Sequence, residues 1–189
     1  MACGSITLKG IGLGCKDHMG GIKEVYLIKE DEITGVDLAK EDGENGRPDA
    51  MIGSITLKEE AKFKTYRFRK GTSQFTSTMT TDEAAGTLSV QTDLALQFST
   101  MDTAKRLEIM AMCMDSMKAI VLDSNGKYWF LGYDFPISAS AATGQTGTNF
   151  SDFGGYNVTL TDNSKEFPYQ LSETAVTALK ANIQEAPVA

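Results

Sequence analysis

The chain has few of the residues on which catalytic and metal sites depend. Its 189 residues include one histidine, three cysteines and one tryptophan. A structural zinc site needs four ligands, and a serine triad or a cysteine–histidine pair would depend on His18 alone. No pair of carboxylates stands in an apolar setting that would raise a pKa. The sequence therefore predicts a protein that is not an enzyme and holds no metal or cofactor.

Long apolar runs and a secretion signal are also missing. The longest apolar stretches, AIVL and YWFLGY, are far shorter than the roughly 20 residues that cross a bilayer, and no charged segment leads into an apolar one near residue 1. The cysteines Cys3, Cys15 and Cys113 form an odd, sparse set, which fits a reducing compartment. We expect free thiols and no membrane anchor.

Positive charge is scarce as well. The 18 lysines and arginines are outnumbered by 25 acids, and the net charge is −7. A protein that grips nucleic-acid phosphates needs a surplus of cations, so such binding is not expected as the main activity. The composition, 41% apolar and 23% charged, is that of a folded globular chain, and the length suits one domain spanning residues 1–189.

The charges are unevenly distributed, which suggests contacts between copies of the chain. Residues 23–49 carry nine acids against four bases, and residues 58–70 carry six bases against two acids. A solvated strand face and a DNA contact are the alternative interpretations of the basic stretch. The candidate self-assembly residues are Lys62, Lys64, Arg67, Arg69 and Lys70 on the basic side and Glu41, Asp42 and Glu44 on the acidic side.

Alternating apolar and polar residues predict a mainly β protein. The clearest pattern lies at residues 86–98, where Leu88, Val90, Thr92, Leu94, Leu96 and Phe98 occupy every second position. The pattern predicts a strand with one buried face, and its length, about 40 Å, predicts that the strand extends past a compact sandwich. The hexapeptide GSITLK, at residues 4–9 and 53–58, predicts two further short strands.

A helix is expected after this strand. Ser99 or Thr100 can cap it, with Asp102 near its positive end. Its apolar residues at spacings of three and four are expected to pack on a sheet, with Ala104 and Cys113 alongside. The stripe comprises Leu107, Met110, Met114 and Met117.

A hairpin with both faces covered is predicted next. Asn125 and Gly126 offer the positive φ angles that a two-residue turn demands. In the strand that follows, Trp129 and Leu131 are expected on one face, and Tyr128 and Phe130 on the other.

Two long loops and a C-terminal helix are also predicted. The polar excursion at about 38–52 and the small-residue stretch at about 138–155 are predicted loops. Ser172 is expected to cap a short C-terminal helix. The GxGxG of residues 10–14 lacks the spacing of a dinucleotide loop, and Cys15 with His18 makes only half of a zinc site. We therefore expect an antiparallel β-sandwich or barrel with one flanking amphipathic α-helix and a short C-terminal helix.

Several segments, taken in order, resemble the major tail, or tail-tube, proteins of tailed bacteriophages. The similarity lies mainly within residues 75–171. It is carried by GTLSVQTDLALQFS, TAKRLEIMAMCMDSM, AIVLDSNGKYWFLG, ATGQTGTNFSDFGGYNVTLT and EFPYQL.

The resemblance implies a β-sandwich or barrel subunit that forms rings, typically hexameric, which stack head to tail into a hollow tube for DNA. Its partners would be other copies of itself and other tail proteins, with DNA only as passing cargo. Its location would be the virion tail, after assembly in the host cytoplasm. Another phage ring, connector, terminator or decoration protein is one alternative. A monomeric carbohydrate-binding module that uses Tyr128, Trp129 or Tyr133 is the other.

Overall fold

The computed structural model describes residues 10–14, 16–40 and 50–184 of the chain. Strands dominate these residues, which confirms the predicted mainly β class. The strands are β1 (Ile22–Lys29), β2 (Ile33–Ala39), β3 (Met51–Leu57), β4 (Phe63–Arg67), β5 (Gln74–Asp82), β6 (Thr87–Ser99), β7 (Met117–Asp123), β8 (Tyr128–Leu131), β9 (Ser138–Gln145), β10 (Gly155–Ser164), β11 (Tyr169–Leu171) and β12 (Ile183–Gln184). The helices are α1 (Thr103–Met114) and α2 (Glu173–Ala181). Among the described residues, no helix is long and apolar enough to span a bilayer.

The strands form two sheets. The larger has the order β12-β4-β1-β7-β8-β11-β3-β2, and the smaller has the order β5-β6-β10-β9. All pairs in the smaller sheet are antiparallel. The larger sheet is mixed, because β11 pairs with β3 and β12 pairs with β4 in parallel. The pairing is therefore antiparallel, as predicted, except at these two places, where each of the short C-terminal strands is added beside an earlier strand.

The larger sheet is covered on both faces. Val121 and Leu131 belong to a core that also contains Leu94 and Leu160 of the smaller sheet and Ile109 of α1. The residues next to them in the same strands, such as Ile120 and Phe130, point to the other face and belong to a second core together with Leu179 of α2. Since successive side chains of a strand point to opposite faces, the central strands are apolar on both sides. This arrangement confirms the predicted division of Trp129 and Leu131 from Tyr128 and Phe130.

Strand β6 confirms the long alternating pattern. Val90, Thr92, Leu94 and Leu96 are buried, whereas Leu88 is exposed because the strand continues beyond the core. The second GSITLK copy lies on β3 as predicted. The first copy, Cys3, Cys15 and residues 41–49 of the predicted excursion lie outside the described residues.

Helix α1 differs from its prediction in its cap and in its buried face. Asp102 is the N-cap, and its Oδ1 accepts a hydrogen bond from the Lys105 amide at 2.8 Å. The buried residues of the helix are Ile109 and Met112, three positions apart. The predicted stripe is wrong, because its helical members lie in solvent; they are Leu107, Met110 and Met114, with Cys113 also exposed. Met117 is buried, but on β7.

The β7–β8 hairpin is present, but its turn is longer than predicted. The Asp123 amide donates to the Lys127 carbonyl, which encloses residues 124–126, and only Gly126 of that turn has a positive φ, at 84°. Asp123 Oδ1 accepts from the amides of Asn125 and Lys127. A turn ending in a left-handed glycine is the usual three-residue alternative to the two-residue form.

The predicted loop at 138–155 is half strand. Residues 138–145 form β9, paired with β10, and only residues 146–154 connect the two. This strand was not predicted because its residues are small and do not alternate between apolar and polar. The pattern is weak because the strand lies at the edge of a sheet and contributes little to the core. Ser172 caps α2 as predicted, its Oγ accepting from the Ala175 amide at 3.2 Å.

Candidate self-assembly surface

The smaller sheet has two open edges. Strand β5, with nine residues, forms one edge, and β9, with eight, forms the other. Edge strands of monomeric proteins are usually protected by charge, proline or a bulge. Strand β9 contains no charged residue and no proline, but its pairing with β10 is interrupted by a register shift that skips Ser140. Strand β5 has no such shift and contains only one charged residue, Asp82, at its end. Strand β5 is therefore open to a further strand along its length, and β9 is open from residue 141 to residue 145.

The two edges run in opposite directions. Strand β5 is antiparallel to β6, β6 to β10, and β10 to β9. Three reversals leave β9 antiparallel to β5. A second copy related by rotation about an axis along the strands can therefore place its β5 beside β9 and continue an antiparallel ladder.

No lysine or arginine occurs in the four strands of this sheet. The face directed away from the core carries amide, hydroxyl and carboxylate groups. Thr161 Oγ1 donates to Asp93 Oδ1 at 2.8 Å, and Gln97 Nε2 donates to Asn157 Oδ1 at 3.1 Å. The polar side chains of this face thus form hydrogen bonds with one another, and none of them is a cation that could bind a polyanion.

Helix α1 packs beside β9 and carries an exposed apolar face. Leu107, Met110 and Met114 are 56%, 45% and 76% exposed. Their spacing of three and four places them on one side, opposite Ile109 and Met112. An apolar stripe exposed on a helix that packs beside an edge strand is typical of a surface that is covered by another subunit.

The structure describes only the basic half of the charged residues that were predicted to mediate self-assembly. Lys62, Lys64, Arg67, Arg69 and Lys70 are all exposed on or next to β4. Arg67 already has a partner in its own chain, since its Nε lies 3.0 Å from Glu24 Oε1 on β1. Glu41, Asp42 and Glu44 lie outside the described residues. Complementary charge between copies therefore stays a prediction.

The aromatic residues of the binding-module hypothesis are used inside the fold. Tyr128 stacks on Tyr26 with ring centroids 6.3 Å apart, and Tyr133 packs against Tyr169 at 5.0 Å. Trp129 packs on the core, and its Nε1 donates to Asp123 Oδ2 at 3.1 Å. Side chains engaged in this way do not form an open platform on which a sugar could stack.

One buried carboxylate stands apart from this surface. Asp162 is 2% exposed; its Oδ2 accepts from the Gly132 amide at 3.0 Å, and its Oδ1 has no partner among the described residues. Burial raises the pKa of this carboxyl, and the charge of Asp134 adds to the effect. Burial lowers the pKa of Lys118, whose Nζ donates to the Gly132 carbonyl at 2.7 Å. The contacts of Asp162 and Lys118 with Gly132 join the end of β8 to β10 and β7.

Sequence reasoning missed two parts of this surface. It placed β9 in a loop and the exposed face of α1 in the core. No sequence signal marked either part, because the small residues of β9 do not alternate and both apolar faces of α1 have helical spacing.

His18 lies exposed beside Asp17, and its half-zinc partner Cys15 is outside the described residues. Within the described ranges, no three His, Cys, Asp or Glu side chains come together as metal ligands would. A comparison of the chain with protein-family models, curated proteins and solved structures finds no match.

Proposed function

We propose that the chain is a structural subunit that assembles with copies of itself, through the open edges of the smaller sheet, into rings that stack as a tube of the phage tail-tube kind. The observation that carries the proposal is the smaller sheet itself, which combines two edge strands of opposite direction and almost no charge with a cation-free outer face.

Strand addition is the physical basis of the ring. The backbone of β5 in each copy would form hydrogen bonds with the backbone of β9 in its neighbour. The same rotation would relate every pair of neighbouring copies until the ring closes. Helix α1 packs beside β9, and its exposed stripe would be covered by a neighbouring copy. Burying three large apolar side chains contributes several kcal/mol, at roughly 25 cal/mol per Å² of apolar area.

The outer face of the sheet supports the role as a conduit. In a closed ring of such sheets the core face packs outward against the larger sheet, which leaves the polar face toward the lumen. A wall without lysine or arginine releases no counterions from DNA and does not retain it. The net charge of −7 acts in the same direction.

A substitution at the β9 edge tests the proposal. Ala142 is exposed and pairs with buried Val158, so its side chain points to the core side of the sheet edge. Ala142→Lys would place an inward-pointing charge there, which is a device that blocks edge pairing. We expect wild-type protein to form rings or tubes of uniform diameter in negative-stain electron microscopy, and the variant to remain monomeric in light scattering.

Ala181→Lys is the matched control, because Ala181 is an exposed alanine at the end of α2, far along the chain from either open edge. It should assemble like the wild type. A wild-type protein that stays monomeric at every concentration would refute the proposal. Rings that never lengthen into tubes would favour a terminator or connector instead.

A further inference from the structure

Asn125, at the tip of the β7–β8 hairpin, holds the segment before β1 against the fold. Its Oδ1 accepts a hydrogen bond from the Met19 amide at 2.8 Å, and its Nδ2 donates to the Met19 carbonyl at 3.1 Å. Within the described residues, these two bonds are the hydrogen bonds that join residues 10–19 to the rest of the fold. The attachment of this segment therefore depends on one side-chain amide.

The residue after Asn125 is a glycine, and both residues are exposed. Asparagine is one of the chemically labile residue types of proteins. Gly126 has a φ of 84°, and nothing lies within 4 Å of the position that a Cβ would occupy there. Its amide donates to the Asp123 carbonyl at 3.3 Å, which is long for such a bond. The Gly126 nitrogen is therefore weakly held and has no side chain of its own to shield it.

The side-chain carbonyl of Asn125 is polarised by its partner. The Met19 amide that donates to Oδ1 draws electron density away from Cγ. When a nitrogen attacks Cγ, negative charge develops on Oδ1, where this donor already lies, as in an oxyanion hole. Cγ of Asn125 is therefore the electrophile, and the adjacent Gly126 nitrogen is the nucleophile.

We infer that Asn125 is a site of spontaneous deamidation, which releases residues 10–19 from the hairpin. The Gly126 nitrogen gives its proton to water and bonds to Cγ, the Cγ–Nδ2 bond breaks, and Nδ2 leaves as ammonia. Water then opens the cyclic imide and gives aspartate or, by attack on the other carbonyl, isoaspartate. The net reaction consumes water, releases ammonia and needs no oxidant or reductant.

Both products lose the paired contact with Met19. Isoaspartate carries the Cγ carbonyl in the main chain, so the side-chain amide that paired with Met19 no longer exists. Aspartate has no Nδ2, and one of its oxygens would face the Met19 carbonyl oxygen, which is a contact between two acceptors. The Ser124 amide still donates to the Gly21 carbonyl at 3.0 Å, so β1 keeps its place. This modification goes beyond the proposed function and does not depend on it.

Ageing of the purified full chain tests the site. Asn45→Gln is the starting protein, because Asn45 and Gly46 form the other Asn-Gly pair of the sequence. After incubation in a mildly alkaline buffer, peptide mapping by mass spectrometry should show deamidation at residue 125 that increases with time. Asn149 is the internal control, since it is also exposed but precedes Phe150. It should stay unmodified over the same period, because the phenylalanine side chain shields the attacking nitrogen.

Hydrogen exchange tests the release. The modified protein carries one more negative charge than the unmodified protein, so anion exchange separates the two fractions. We expect the Met19 amide to exchange about fivefold faster in the modified fraction, which corresponds to the loss of one ordinary hydrogen bond, while the amides of β1 keep their rates. Asn149→Asp adds the same charge in another loop and should leave the exchange of Met19 unchanged.

Two results would overturn the inference. Deamidation at residue 125 that is no faster than at Asn149 would show that the turn does not favour the reaction. Equal exchange of the Met19 amide in both fractions would show that the modification releases nothing. Neither result bears on self-assembly, which Ala142→Lys and electron microscopy test separately.

Discussion

The hydroxyl of Tyr66 on β4 donates a hydrogen bond to Oε1 of Glu108 on α1 at 2.5 Å. Burial and the Glu108 carboxylate together raise the pKa of Tyr66. The Tyr66 ring also meets the edge of Phe98 on β6, with centroids 6.2 Å apart. One side chain of the larger sheet thus contacts both the smaller sheet and the helix.

Removal of the Tyr66 hydroxyl should loosen this connection. Tyr66→Phe keeps the ring packing and is expected to lower the free energy of unfolding by about 1 kcal/mol, the usual net contribution of one hydrogen bond. Urea denaturation of Tyr66→Phe, Glu108→Gln and the double variant would measure the coupling. Additive losses in the two single variants would show that the bond contributes nothing to stability.

The two faces of α1 should respond in opposite ways to substitution. Ile109→Ala removes a buried side chain and should cost about 2 kcal/mol or more. Replacing Leu107, Met110 and Met114 by Gln changes only exposed positions and should leave the unfolding of the monomer within about 0.5 kcal/mol per site. The same triple variant should assemble less well than the wild type in light scattering. A large loss of monomer stability in the triple variant would contradict the exposed position of the stripe.

Stability should depend on pH through Asp162. Its pKa is raised in the folded protein, so the protonated carboxyl favours the fold below the unfolded pKa of about 3.9, and this contribution is lost as the pH rises through the higher folded value. Asp162→Asn keeps an acceptor for the Gly132 amide and cannot ionise. The free energy of unfolding of Asp162→Asn relative to the wild type should therefore increase from about pH 3.5 to about pH 7. A difference that is flat or decreases with pH would show that the carboxylate is well compensated when ionised.

Gly155 should tolerate no side chain. A Cβ there would lie 2.1 Å from the carbonyl oxygen of Phe98 on the paired strand β6. Gly155→Ala must shift the backbone at the start of β10, and we expect a cost of about 3 kcal/mol in thermal or urea unfolding. Gly20→Ala, which has open space around its Cβ, is the control and should be nearly neutral. Equal stability of the two variants would contradict the pairing of Gly155 with Ser99.

Much of the fold could be predicted from local pattern. The alternation along β6, the hairpin that carries Trp129, and the cap of α2 at Ser172 were all readable, because each depends on neighbours in sequence. Strand β9 and the turn at Gly126 were not, since small residues fit several backbone shapes. Of the candidate surface, the exposure of the basic residues of β4 follows the alternation in the sequence, whereas the open edges of the smaller sheet and the exposed apolar face of α1 were not predicted.

By itself, the sequence determined which segments extend, which faces of the strands are apolar, and that cations are absent from the residues of β5, β6, β9 and β10. Only the tertiary structure decided that these four strands form one sheet with two open edges, and that α1 buries Ile109 instead of Leu107. The physical reason is that the spacing of apolar residues indicates only which side chains could be buried. Which of them are buried depends on surfaces supplied by residues far away in the chain.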